Sequence, residues 1–179
     1  MPDNSGLIVL GFDPGISITG YGLIQVEDGV TRCLDYGAWK LPARAPLSER
    51  LRRLYDYIDT LIKATCERPM PESAIEVAIE DFYIGRVRAA VTIGQARAMA
   101  LLAAAQAGLP VYMYKPLEVK QFVTTYGRGD KFQVQQMVKA LLNLDEAPEP
   151  ADASDALAVA LCHCLRRDSA ALLKEQPSR

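Results

Sequence analysis

The chain lacks the marks of a secreted, membrane-bound or thiol-ligated metal protein. It has four cysteines, Cys33, Cys66, Cys162 and Cys164, and one histidine, His163, in 179 residues. The cysteines form no paired ligand pattern, and a disulfide framework is not expected in a chain of this size without a secretion signal. The opening Met1-Pro-Asp-Asn-Ser-Gly6 is polar, and the apolar run behind it is too short for a leader. No stretch approaches the length of a membrane span, and no internal repeat or low-complexity segment is present. A reduced, cytoplasmic protein without a membrane partner is expected. The whole chain, 1–179, reads as one domain, with an ordered core over about 7–166 and a frayed tail over 167–179.

Half of the residues are apolar and 23% are charged, a globular composition. A chain of this length buries roughly 70% of its unfolded surface, so the core needs no covalent staples. The net charge of −2 argues against a nucleic-acid partner, but its distribution argues for one. Between Tyr83 and Ala140 lie Arg86, Arg88, Arg97, Lys115, Lys120, Arg128, Lys131 and Lys139 against only Glu118 and Asp130. Such asymmetry makes a basic face on an acidic protein, and phosphate responds to local potential more than to overall charge. Taken alone, the same asymmetry fits an unevenly charged solvated surface equally well.

Leu7 to Phe12 reads as a buried strand broken by Asp13-Pro14-Gly15. Gly20 to Val26 and Thr31 to Leu41 supply two more strands around a turn at Glu27-Asp28-Gly29, giving an antiparallel meander. Apolar residues at helical spacing from Leu47 to Ile62 predict a helix with Ser48 as its cap. A fourth strand, Ile75 to Ile79, leads to Glu80. An alanine-rich helix spans Arg86 to Ala107, closed by Gly108, and Val111 to Tyr114 is a fifth strand. Helices are predicted over Pro116–Thr125, Lys131–Leu142 and Ala151–Arg166. Three strands followed by strand–helix alternation specify an α/β fold, a five-stranded mixed sheet flanked by helices. Placing the first and fourth strands side by side brings Asp13 and Glu80 to one sheet edge, where open sheets of this type bind ligands.

An acid at the end of an apolar strand is costly to desolvate without a partner. Two such acids, Asp13 and Glu80, and the i,i+3 pair Asp152 and Asp155 at the start of the last helix are able to converge on one point. A hard divalent cation with oxygen ligands accounts for that convergence most simply. By itself, the helical pair fits the ordinary preference of acids for a helix N-terminus.

Four motifs in order carry a resemblance. They are Gly11-Phe-Asp-Pro-Gly-Ile-Ser-Ile-Thr-Gly-Tyr-Gly22; Ala78-Ile-Glu-Asp-Phe-Tyr83 with Gly94-Gln-Ala-Arg97; Lys120-Gln121 with Lys131 and Gln133-Val-Gln135; and Ala151-Asp-Ala-Ser-Asp-Ala-Leu-Ala158. Over about Leu7 to Leu165 the chain resembles the RuvC family of Holliday-junction resolvases. The resemblance implies a ribonuclease-H-like fold, a homodimer and metal-dependent endonuclease cleavage of four-way DNA junctions in recombination and repair. It places Asp13, Glu80, Asp152 and Asp155 at the catalytic, metal-binding acids. Lys120 falls at a position for catalysis and phosphate contact, and Lys131 at a DNA contact. Tyr83 stands near a family aromatic that stacks on junction bases; its neighbour Phe82 is an equal candidate. Arg86 and Arg88 complete the expected DNA-touching loop. The acidic balance of the chain departs from the basic character expected of such an enzyme.

The chemistry fits the residues. Two Mg²⁺ or Mn²⁺ ions about 4 Å apart activate water on one side of phosphorus and stabilise the leaving oxygen on the other. Paired symmetric nicks with 5′-phosphate ends are expected, and branch-migration motor proteins are expected partners. Two other readings stay open: a nuclease of the same fold acting on RNA or another branched substrate, and a non-catalytic junction-binding partner of such a motor. An actin-like phosphotransferase would need further phosphate loops and a longer chain. Asp81 is expected to point away from Glu80. His163, two helical turns beyond Asp155, is expected to pack between buried thiols rather than act as a base.

Overall fold

The computed structural model describes residues 6–69, 74–81, 87–124 and 130–174. Its five strands are β1 (Leu7–Asp13), β2 (Ile18–Glu27), β3 (Val30–Lys40), β4 (Ala74–Glu80) and β5 (Val111–Tyr114). Its helices are α1 (Leu47–Cys66), α2 (Val87–Gln106), α3 (Pro116–Thr124), α4 (Lys131–Leu141) and α5 (Ala151–Lys174). The sheet order is β3-β2-β1-β4-β5. β1, β2 and β3 form the expected antiparallel meander, and β4 and β5 run parallel to β1. Asp28 and Gly29, both at positive φ, make the two-residue β2–β3 turn, the backbone that a tight hairpin requires.

Alternation along the strands divides the interior into two cores. Ile8, Leu10 and Phe12 of β1 face α1 and α2, where they meet Leu54, Ile58, Ile62 and the alanines Ala96, Ala100, Ala103 and Ala104. Leu7 and Val9 face α3, α4 and α5, joined by Val119, Val134, Val138 and Leu157 to Leu161. Full burial of each large aliphatic contributes about 1.5–3 kcal/mol. The same parity turns Gly11 and Asp13 toward α5. That helix is apolar nearly all round through Leu161 because it is covered on the sheet side and by α3 and α4.

α5 lies unusually close to the sheet. A Cβ on Gly11 would meet the Ala156 carbonyl oxygen at 2.2 Å, one on Gly20 the Asp152 carbonyl oxygen at 1.9 Å, and one on Gly22 the Leu157 side chain at 2.7 Å. Glycine is required here by close approach rather than by dihedral freedom.

Two boundaries differ from expectation. α1 starts at Leu47 with Pro46 at its N-cap and no side-chain cap bond; Ser48 already lies within the first turn, past the capping position. α5 continues to Lys174 rather than stopping near Arg166. Arg166 and Arg167, though exposed, bond to Glu118 and Glu76 and tie this turn of the helix to α3 and β4.

The glycine floor predicts that Gly20→Ala lifts the first turn of α5. The overpacking should cost about 1–3 kcal/mol, read by denaturant unfolding. A crystal structure of the variant should show Asp152 displaced from β2; an undisturbed α5 would refute this account.

Candidate active site

Asp13 ends β1 opposite Gly20 of β2, and Glu80 ends β4 beside Tyr114 of β5. The loop after Asp13 is held by Thr19, fully buried, whose hydroxyl donates to the Gly15 carbonyl at 2.7 Å. From the other face of the sheet, Arg50 of α1 donates to the Ile16 carbonyl and to Ser17 Oγ. The fold thus holds the chain as it leaves the Asp13-Pro14-Gly15 turn.

One open cleft of about 310 Å³ collects Asp13, Glu80, Asp155, Lys120 and Lys131. Pro116, Val119, Val134 and Ala158 supply its apolar lining. The spacing of the charged residues explains these neighbours: Lys131 with Val134, and Asp155 with Ala158, are i,i+3 pairs on helices. Helical periodicity read from the expected site residues would have located the lining, which sequence reasoning had not named. Asp152 does not line the cleft. It lies one turn away, its carbonyl over Gly20, close enough for its charge to act on Asp13.

The electrostatics follow from packing four acids together. Asp13 and Glu80 lie close enough for their carboxyl groups to act on each other. Burial, then the charge of Asp155, raises the Asp13 carboxyl to about 6. Burial, then the charge of Asp13, raises Glu80 to about 8. Protonation of one member of the pair relieves the repulsion. Lys131 Nζ lies 3.1 Å from Asp155 Oδ2, and that hydrogen bond pushes the ammonium's pKa up. Lys131 is aimed by the start of α4, where Asp130 and Gln133 form a reciprocal capping box.

The donor set, all carboxylate oxygen, suits a hard divalent cation. Among the described residues no group of three or more His, Cys, Asp or Glu side chains stands in closed metal-holding geometry. Asp155 is engaged by Lys131, and burial favours the neutral forms of Asp13 and Glu80. A cation would replace positive charge that the cluster already draws from a proton and an ammonium group.

Of the remaining expected site residues, Phe82, Tyr83 and Arg86 lie outside the described residues. Arg88 falls in the first turn of α2, with its side chain outside the description. Asp81 turns from the cleft, as expected: it pairs with Arg97 of α2, and its backbone N–H donates to the Tyr114 carbonyl at 2.7 Å. His163 is buried well down α5 and bonds to Glu76 and Tyr114.

A pH dependence follows. Both carboxyls bind protons more tightly folded than unfolded, so the metal-free protein loses stability as pH rises from their ordinary values of 3.8 and 4.5 through about 6 and about 8. Mg²⁺ binding should release protons near neutral pH. Calorimetry in buffers of different ionisation enthalpy should detect that release, and Glu80→Gln should diminish it. Binding without proton exchange at pH 7 would contradict the raised carboxyl pKa values.

Comparison with known proteins agrees with this geometry. The family model described as crossover junction endodeoxyribonuclease RuvC matches residues 9–163. A crossover junction endodeoxyribonuclease RuvC from Desulfitobacterium hafniense is 49% identical over 158 residues, 88% of this chain and 92% of the relative. One from Clostridioides difficile is 46% identical over 158 residues, covering 88% and 89%. Among solved structures, T. thermophilus RuvC in complex with Holliday junction substrate superposes with a TM-score of 0.82 at 33% identity, over 92% of this chain and 96% of that one. The mixed sheet with flanking helices is therefore ribonuclease-H-like, and the chain belongs to the RuvC family of crossover junction endodeoxyribonucleases.

Proposed function

We propose that Asp13, Glu80, Asp152 and Asp155 hold two divalent cations, Mg²⁺ or Mn²⁺, and that this site cuts the phosphodiester backbone during resolution of Holliday junctions. Resolution of such junctions is the activity of the family to which the chain belongs. The observation that carries the assignment of residues is the meeting of Asp13, Glu80, Asp155, Lys120 and Lys131 in one cleft. When bound, the cations activate the attacking water and stabilise the departing oxygen.

The chain's own groups divide the remaining work. Asp13 and Glu80, both raised in pKa, lose protons as the acids take up their ligands. Lys131, at the N-terminal turn of α4, passes from Asp155 to a phosphate oxygen beside free backbone N–H groups. Lys120, which also lines the cleft, stabilises charge on the phosphate undergoing attack. The apolar lining from Val119, Val134 and Ala158 strengthens each of these interactions by excluding polarisable solvent. Asp152, set back from the cleft, completes the acid set once the carboxylates rearrange. Phe82 or Tyr83, with Arg86 and Arg88, contacts junction DNA from the segment after β4.

A homodimer suits this substrate, since a two-fold axis places one site on each of two opposed strands. Ligatable nicks with 5′-phosphate ends and cooperation with a branch-migration motor complete the reading. No helix among the described residues is long and apolar enough to cross a membrane, and all four cysteines are free. Both observations accord with work in the cytoplasm. A junction-binding role without chemistry finds no support in the acid set, of which every member is present.

The decisive experiment compares a synthetic four-way junction with a linear duplex. Wild type with Mg²⁺ should nick opposed strands of the junction and spare the duplex. Asp13→Asn should lose more than the roughly 100-fold that disturbing a group behind a ligand costs, while still binding the junction. Equal cleavage of both substrates, or an active Asp13→Asn protein, would overturn the assignment. Lys131→Ala should also weaken junction binding and reduce the log–log salt slope by about 0.9, the loss of one phosphate contact; an unchanged slope would remove Lys131 from the DNA surface.

A further inference from the structure

α5 carries a second polar cluster, far down the helix from the acids and buried where polar groups are costly. Glu76 of β4 is 6% exposed and His163 is 2% exposed. His163 Nε2 lies 2.5 Å from Glu76 Oε2, and the Tyr114 hydroxyl lies 2.6 Å from His163 Nδ1. Arg167, one turn on, pairs with the other oxygen of Glu76. The Tyr112 ring covers the imidazole with centroids 4.6 Å apart. Burial is the main cause that holds the histidine below its ordinary pKa. The neutral ring therefore accepts from the tyrosine at Nδ1 and donates to the carboxylate from Nε2. Every hydrogen-bonding position of the imidazole is used, in one orientation only.

This cluster joins the elements that carry the cleft. Glu76 and Glu80 lie on one strand with even spacing, hence on the same face of the sheet. Four strand residues span roughly 13 Å. Asp155 and His163 lie on one helix eight residues apart, a rise of about 12 Å. The two lengths match, and α5 runs antiparallel to β4. Contact between Glu76 and His163 at one end therefore sets Asp155 against Glu80 and Asp13 at the other, where their charges interact. The glycine floor fixes the depth of α5, and it contains no directional bond between side chains that would set the helix along its axis. Directional bonds at His163 do so. Arg166 adds a tie to Glu118 at 2.8 Å, on the helix that presents Lys120.

We propose that Glu76, His163 and Tyr114 form a positioning network that sets the axial register of α5 against β4 and so the spacing of the metal-binding acids. It rests on the reading of those acids as cation ligands. The residues touch neither DNA nor cation, and they act through the placement of Asp155 relative to Glu80.

The test uses His163→Leu, which removes both bonds, and Tyr114→Phe, which removes one hydroxyl. Thermal melting first establishes that each variant is folded; if His163→Leu does not fold, Tyr114→Phe decides the matter. Mn²⁺ binding is followed by loss of the free-ion EPR signal. Junction affinity is measured without metal, and kcat with saturating junction. In folded His163→Leu, Mn²⁺ affinity and kcat should each fall by about tenfold or more, the scale of a disturbed ligand support. Tyr114→Phe should produce a few-fold loss, the scale of one hydrogen bond. Metal-free junction affinity should not change. If wild type binds Mn²⁺ and cleaves junctions, and the folded variants match it in both, the positioning inference fails and the site assignment stands. If Mn²⁺ binding by wild type is insensitive to Asp13→Asn, the assignment of the acids fails and the inference falls with it.

Discussion

Backbone contact between α5 and the strands beneath it is the constraint on which the rest of the structure depends. Gly11, Gly20 and Gly22 remove the side chains that would hold the helix off β1 and β2. Only at this distance do acids on a helix share space with acids at strand ends. Alanines and valines on the buried side of α5 serve the same closeness. The chemistry therefore begins with the absence of side chains, and the carboxylates occupy the gap that this absence leaves.

The second requirement is electrical. A cluster of carboxylates repels itself, and the fold tolerates it by borrowing positive charge. Burial and mutual repulsion favour protons on Asp13 and Glu80, and Lys131 pairs with Asp155. These are weak, replaceable partners. They hold the cluster compact without closing it, so exchange for a cation costs less than building the site anew. The apolar lining makes the repulsion larger and the eventual gain from a cation larger by the same cause.

The sequence was informative where chemistry conflicts with environment. Acids at the ends of the apolar runs Leu7–Phe12 and Ile75–Ile79 demanded partners, and the i,i+3 pair on α5 supplied one of them. The strand order followed from the hairpin turn and the strand–helix alternation. Depth was not readable: i,i+3 spacing puts Asp152 and Asp155 on one face, but only the seat over Gly20 sets Asp152 back from the cleft. Glu76 is a charge inside an apolar strand, yet its partner His163 is 87 residues away, and local patterning cannot join them. For the same reason Arg166 and Arg167 resembled a polar helix end until their partners Glu118 and Glu76 were in view. Ser48 shows the opposite weakness: the residue type suits a cap, but α1 begins one residue earlier.

The sheet separates two interiors with unequal duties. The alanine seats of α2 and the aliphatic face of α1 lie on the side that carries none of the four acids. Substitutions there are free to repack, trade volume or add stability with little effect on the spacing of the carboxylates. On the α5 side, a single methyl group added at Gly20 would collide with the backbone of Asp152. Evolutionary drift and engineering should consequently be asymmetric, permissive beneath one face of the sheet and narrow beneath the other.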